Sequence, residues 1–204
     1  MFCGVWFSSP SDDGRGQVQS DCSVANLTER DVLLRLFKAT GGPEGFWGDA
    51  THWGSAQPLA EWYGVYVDGG GKVESLILAG NGLEGVVPEC LGMLASLTTL
   101  DLMGNRLSGN IPAALGTLAN LGFLDLSHNW LTGQIPSELA CLTRLRVLCL
   151  NHNQLTGTVS EGLGELPTLE VLHLANNQLQ VPPSDKWCRI SKRDFLPPRT
   201  GGDT

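Results

Sequence analysis

The sequence is poor in basic residues and in long apolar runs, and each shortage excludes something. Thirteen Lys and Arg against 21 Asp and Glu leave its 204 residues with a net charge of −8. A nucleic-acid or acidic-membrane surface needs the opposite balance, because such surfaces bind through excess cations. The densest basic stretch holds Lys186, Arg189, Lys192, Arg193 and Arg199 and reads as a solvated end-cap. No run reaches the roughly 18 apolar residues that a membrane-spanning helix requires. Met1 to Phe7 has neither the basic start nor the apolar length of a signal peptide. The chain as written is therefore expected in the cytoplasm. It becomes extracellular or membrane-associated if a signal peptide or membrane segment lies beyond these residues.

Catalytic and metal signatures are also missing. The cysteines, Cys3, Cys22, Cys90, Cys141, Cys149 and Cys188, contain no C-x-x-C and no zinc-ribbon spacing. Their scatter reads as individual substitutions in a reduced chain, with a Cys3–Cys22 pair left open and the state of Cys188 undetermined. No Walker loop and no glycine-rich kinase loop occurs. The sequence predicts no enzyme and no cofactor.

What is present is a phrase of 24 residues written almost five times. Its starts are Val73, Leu97, Leu121, Leu145 and Leu169, and leucines follow three and five places later, as at Leu100 and Leu102. A column of amides closes each phrase: Asn81, Asn105, Asn129, Asn153 and Asn177. Leucines three and five places on alternate inward and predict a short strand. Stacked coils would place those strands side by side in a parallel sheet. Each asparagine, able to donate and accept at once, would satisfy backbone groups where the chain turns inward. The second half of each phrase carries Ile-Pro or Val-Pro and then two leucines three apart, as at Leu115 and Leu118. That spacing predicts a single helical or 3₁₀ turn on the convex side.

The flanks read differently. Residues 1–27, rich in Ser, Gly, Asp and Gln, are expected to be a disordered leader. Asn26-Leu-Thr28 spells a glycosylation acceptor, but Thr28-Glu-Arg-Asp31 also spells a capping box. That box predicts a helix over Glu29 to Thr40, stopped by Gly41-Gly42. Phe46, Trp47, Trp53 and Trp62 are then expected to cover the open end of the first coil. Trp62 to Val67 should lead the sheet, turning through Asp68 to Gly71 into Val73. At the other end Trp187, Ile190 and Phe195 are expected to cover the last coil, followed by a loose tail from Leu196. The divisions predicted are 28–72 for a cap, 73–183 for the repeats and 184–204 for a closing cap and tail.

Leu-x-x-Leu-x-Leu-x-x-Asn-x-Leu-x-Gly-x-Ile-Pro-x-x-Leu-Gly-x-Leu resembles the plant-type leucine-rich repeat. Thr28 to Val67, with Glu61-Trp-Tyr-Gly-Val65, resembles the N-terminal cap of algal and other microbial eukaryotic proteins of this kind. Land-plant receptor ectodomains usually pair cysteines around this cap motif, where this chain has Glu61 and Val67. The resemblance implies an α/β repeat solenoid: a right-handed leucine-rich-repeat superhelix with a parallel concave β-sheet, a helical N-terminal cap and a short C-terminal cap. It also implies a receptor-like relative.

Subtracting the scaffold columns leaves the concave positions. Ile77, Thr99, Asp101, Met103, Phe123, Asp125, His128, Val147, Cys149, Asn151, His152, Val171 and His173 are the residues expected to bind a partner. A protein or peptide ligand is the first expectation, since a rigid scaffold lets these side chains vary freely. A ligand-sensing ectodomain fragment of a receptor-like protein or kinase is the second. The column Asp125, Cys149, His173, with His128 beside His152, also suggests a zinc or thiol site. Against that site, Ser-His-Asn and Asn-His-Asn are routine wordings of this repeat, and an open sheet excludes no water. A carbohydrate-directed role, such as inhibiting wall-degrading enzymes, rests on family analogy alone. Trp130 is balanced between an exposed anchor and local packing.

Overall fold

The structure is a computed structural model and describes residues 27–183, 185–190 and 192–194. The expected leader, the Cys3–Cys22 pair, the acceptor Asn26, Phe195 and the tail from Leu196 lie outside the described residues.

The chain enters through α1 (Glu29–Ala39). The capping box forms as its sequence predicts: Asp31 N–H donates to Thr28 Oγ1 at 3.2 Å, and Thr28 N–H donates to Asp31 Oδ2 at 2.8 Å. These bonds satisfy helix-end donors that would otherwise be orphaned. Val32, Leu33 and Leu36 turn to the core. Thr40, fully buried, ends the helix by donating its hydroxyl to Leu36 O at 2.7 Å.

The aromatic segment closes the first coil as a chain of rings. Phe37 meets Trp47 edge-on with centroids 5.0 Å apart, Trp47 meets Trp53 at 4.8 Å, and Trp53 meets Trp62 at 5.0 Å. Each indole N–H finds a carbonyl, which removes the cost of burying it. Trp47 donates to Thr40 O, Trp53 to Tyr63 O and Trp62 to Gln57 O, at 2.9, 2.9 and 3.1 Å. Phe46 departs from the expectation. It lies 55% exposed, with its ring against Gly41.

From there the repeat alternates two kinds of strand. The first follow each leading leucine or valine: β1 (Val65–Val67) from the cap, then β2 (Val73–Ile77) from the first phrase. β3 (Glu84–Val86) begins the second kind, beyond the asparagine. Thereafter come β4 (Thr99–Asp101), β5 (Arg106–Asn110), β6 (Phe123–Asp125), β7 (Trp130–Thr132), β8 (Val147–Cys149) and β9 (Thr156–Thr158). A short helix, α2 (Glu161–Gly164), precedes β10 (Val171–His173), β11 (Gln178–Gln180) and β12 (Lys192–Asp194).

The concave sheet runs β1-β2-β4-β6-β8-β10-β12. All its neighbours pair parallel except β1, which turns back antiparallel on β2. From β2 to β10 the register steps by the 24-residue period, with Leu76, Leu100, Leu124, Leu148 and Leu172 stacked and fully buried, whereas β12 pairs Lys192 with Val171. Convex turns are 3₁₀ at Glu89–Met93, Ala113–Thr117 and Ser137–Cys141, each following a proline. Where Ser160 replaces that proline, its hydroxyl accepts from Gly162 N–H and the turn becomes α2.

The asparagines perform the predicted task. Asn129 Oδ1 accepts from Leu107 N–H at 2.9 Å, and its Nδ2 donates to the carbonyls of Leu102, Leu126 and Ser127. Asn105 and Asn153 repeat this pattern, and Asn81 ties the first coil to Asp49 in the cap. At the far end Trp187 and Ile190 are buried against the last coil, as predicted. Lys186 there bridges Glu161 and Glu165 at 2.8 and 2.7 Å, so this part of the basic stretch is engaged in ion pairs. The carboxylates raise the Lys186 pKa well above its ordinary value.

One expectation about cysteine is corrected. Cys141 is disulfide-bonded, so the cysteines are not all individual substitutions. A disulfide needs Cα atoms within about 7 Å of each other in space, which column positions within a repeat do not reveal.

Candidate functional surface

Side chains two apart on each concave strand point outward together, so the open face is built of columns. The first runs Tyr66, Ser75, Thr99, Phe123, Val147, Val171. The second runs Ile77, Asp101, Asp125, Cys149, His173. Beyond the strands follow Met103, Ser127 and Asn151, and then a rim of Gly80, Gly104, His128, His152 and Asn176. All the sequence-predicted positions therefore share one face, and Tyr66 joins them from the cap. The sequence places Tyr66 in the strand expected to lead the sheet and not among the residues expected to bind a partner. Its position opposite Ser75, in a strand of alternating pattern, was the signal for a concave residue.

Exposure differs along this face. Ile77 and Met103 are 38% and 41% exposed, and Tyr66 reaches 57%. Phe123, Val147 and Val171 are half-buried. Asp125 and Cys149 are only 8% exposed, so they form a recessed floor rather than a projecting contact. The cause at Asp125 is local. Its Oδ1 accepts from both the N–H and the hydroxyl of Ser127, at 2.8 and 2.6 Å, which folds the carboxylate back onto the strand end. Asp101 receives only Met103 N–H, at 3.1 Å. Burial pushes its carboxyl above the usual range, Met103 N–H opposes that, and the neighbouring Asp125 charge adds to it.

The proposed metal or thiol constellation is looser than its columns suggested. Cys149 Sγ lies 3.9 Å from His173 Nδ1. His128 and His152 stack on each other, and His152 Nε2 is 2.9 Å from Asn176 Nδ2. Among the described residues no group of three or more His, Cys, Asp or Glu is arranged to hold a metal ion. Rim identity has a backbone cause instead: Gly80, Gly104, His128, His152 and Asn176 all have φ between 55° and 68°. Glycine adopts this left-handed region freely, and Asn and His are enriched there. Trp130, 52% exposed on the lateral sheet, is not buried by local packing.

Family models for leucine-rich repeats match residues 71–131 and, as a pair of repeats, residues 143–186. A chain of the BIR3–SERK2 complex from Arabidopsis thaliana is 31% identical with a TM-score of 0.68. The match covers 79% of this chain and 93% of that one. The BIR2 ectodomain from the same plant is 33% identical with a TM-score of 0.69, over 76% and 83% of the two chains. The chain belongs to the leucine-rich-repeat family. A PEPR1 structure with AtPEP1 is 34% identical with a TM-score of 0.70, but this leucine-rich-repeat chain spans only 22% of that chain. A search of curated proteins finds no match. No helix among the described residues is long and apolar enough to cross a membrane.

Proposed function

We propose that this leucine-rich-repeat chain is a non-enzymatic recognition module that holds a protein or peptide on its concave sheet. The observation that carries the reading is the exposure of Tyr66, Ile77 and Met103 on a face whose scaffold needs none of them. Apolar side chains left open on a rigid, flat sheet suit a partner that covers them. The relatives support it, since the matched structures include a BIR3–SERK2 complex and PEPR1 with AtPEP1. The contact set is the list of concave residues predicted from sequence, joined by Tyr66.

A test selects ligands from a displayed random-peptide library against the immobilised chain and compares binding to wild type and Phe123→Ala. The expected result is a loss of about tenfold or more in the variant, the effect of removing one central aromatic anchor, with an unchanged unfolding midpoint. Ligands that bind the variant as well as the wild type remove Phe123 from the interface.

A receptor-type role is the second reading. It is favoured by the Cys141 disulfide, which suits an oxidising compartment, and by the near-complete span of the BIR3–SERK2 and BIR2 chains. In this reading 28–72 is the cap, 73–183 the repeats and 184–204 the closing segment. The cap is of the algal and microbial kind. Hydrogen-bonded indoles hold it where Glu61 and Val67 stand in place of paired cysteines.

A further inference from the structure

Asp101 and Asp125 are neighbours in register on β4 and β6, on strands about 4.8 Å apart. Asp125 is more than nine-tenths buried. Ser127 occupies its Oδ1 twice, while its Oδ2 has no hydrogen bond or ion pair. The single described bond to the Asp101 side chain comes from Met103 N–H. Among the described residues no lysine or arginine is ion-paired with either carboxylate. Arg146 precedes β8, at the strand end away from Asp125, and is engaged by Glu170 at 2.8 and 3.1 Å. Two adjacent carboxylates, one recessed with a free oxygen, thus face outward without a counter-charge.

The rim of this recess is apolar. Ile77 precedes Asp101 in its column, Met103 follows it along the chain, and Phe123 lies diagonally across on β6. Lys and Arg combine an aliphatic stem with a charged head, so such a side chain would lay its stem on Ile77 and Met103 and bring its head to the carboxylates.

We propose that Asp101 and Asp125 anchor one lysine or arginine side chain of an extended partner segment that crosses β2, β4 and β6. The inference rests on the concave-face reading above and specifies the partner's charge. A calcium ion fits less well. It takes about six to eight oxygens, and this pair offers two carboxylates with one oxygen already bonded to Ser127.

The test uses the full chain and fluorescein-labelled synthetic peptides of about nine residues. The peptides are leucine-flanked and identical except for a central Lys, Arg, norleucine, Gln or Glu. Polarisation at low salt is expected to show Lys and Arg peptides binding about tenfold tighter than norleucine, since charged contacts weaken as salt screens them. Asp101→Asn and Asp125→Asn should each erase that preference while keeping the unfolding midpoint of the wild type to within a few degrees. Phe123→Ala should weaken every peptide alike. Equal binding of the lysine and norleucine peptides overturns the anchor but leaves the concave-face reading intact if Phe123→Ala still weakens both. Lack of binding by every peptide counts against both. Stoichiometric calcium uptake that is lost in Asp125→Asn and blocks the lysine peptide overturns the anchor in favour of a cation site.

Discussion

The imidazoles of His128 and His152 lie face to face, their centroids 4.1 Å apart and their planes 17° from parallel. One coil of the solenoid separates the two residues, and both have left-handed backbone, φ 55° and 56°. Their N–H groups donate to Asn151 O and Ala175 O of the next coil, at 3.0 Å each. Identical backbone geometry in successive coils aims the rings along the same direction, so the stack follows from the turn rather than from ring attraction.

That origin sets the first prediction. His152→Gly should leave stability nearly unchanged, because glycine adopts this conformation freely and the lost ring is exposed. His152→Val should destabilise by about 1–2 kcal/mol, since a β-branched residue resists left-handed backbone. Urea unfolding of both variants checks it. An equal loss in each would show that the ring, not the dihedral, matters.

The asparagine ladder gives a larger effect. Asn129 makes one accepted and three donated bonds to buried backbone groups of two coils. Asn129→Ala leaves those groups unsatisfied, at about 1–3 kcal/mol for each that water cannot reach. A total loss of roughly 3 kcal/mol or more is expected by denaturant unfolding. Asn129→Asp keeps the acceptor for Leu107 N–H and loses the donors. Its second carboxylate oxygen then faces three carbonyl oxygens in a buried site, so near neutral pH it should lose at least as much as alanine.

Most of the scaffold was legible because the repeat states each contact five times. Leucine columns, asparagine ladder, Pro-led 3₁₀ turns and the capping box at Thr28 all stand where spacing put them. The face was legible as a set of positions, but its relief was not. Asp125 and Cys149 look like projecting residues until Ser127 is seen to draw the carboxylate back. The histidines invited a chemical reading because a sequence does not display φ. In space their rim column is a run of residues that tolerate left-handed backbone. Phe46 and Trp47 are adjacent, yet one is open and the other buried, since only Trp47 reaches Thr40 O.

The joint between cap and repeats supplies a third prediction. Gly85 has φ 124°, and a β-carbon built there would collide with Ala39 O at the end of α1. The same approach lets Glu84 N–H donate to Thr40 O at 3.0 Å. Gly85→Ala should therefore push α1 off the first coil as well as strain the backbone. A cost of about 2 kcal/mol or more is expected, with the loss concentrated in the cap. Amide exchange should show α1 and the Trp47 indole losing protection while β6 and β8 keep theirs. Uniform loss across all coils would mean that the cap and repeats unfold together.

Asp101 sets a fourth prediction, in which pH decides the sign. Burial, with Asp125 beside it, raises the carboxyl pKa in the folded chain above the unfolded value, against the opposing Met103 N–H. A raised folded pKa means that the native state binds the proton more tightly than the unfolded state. The destabilisation by the charged form is thus absent below the unfolded pKa, grows through the window up to the folded pKa, and is complete above it. Asp31, Asp49 and Glu165 are lowered instead, through hydrogen bonds to Thr28, Thr51 and Lys186, and weaken the fold as pH falls. The comparison that isolates Asp101 is therefore Asp101→Asn against wild type at each pH. The amide oxygen can still accept from Met103 N–H, so the variant should be more stable than wild type near neutral pH. That advantage should shrink towards about pH 3, where the wild-type carboxyl is also neutral. Urea midpoints across this range check it. A constant difference between the two proteins would show that Asp101 carries no penalty from its charge.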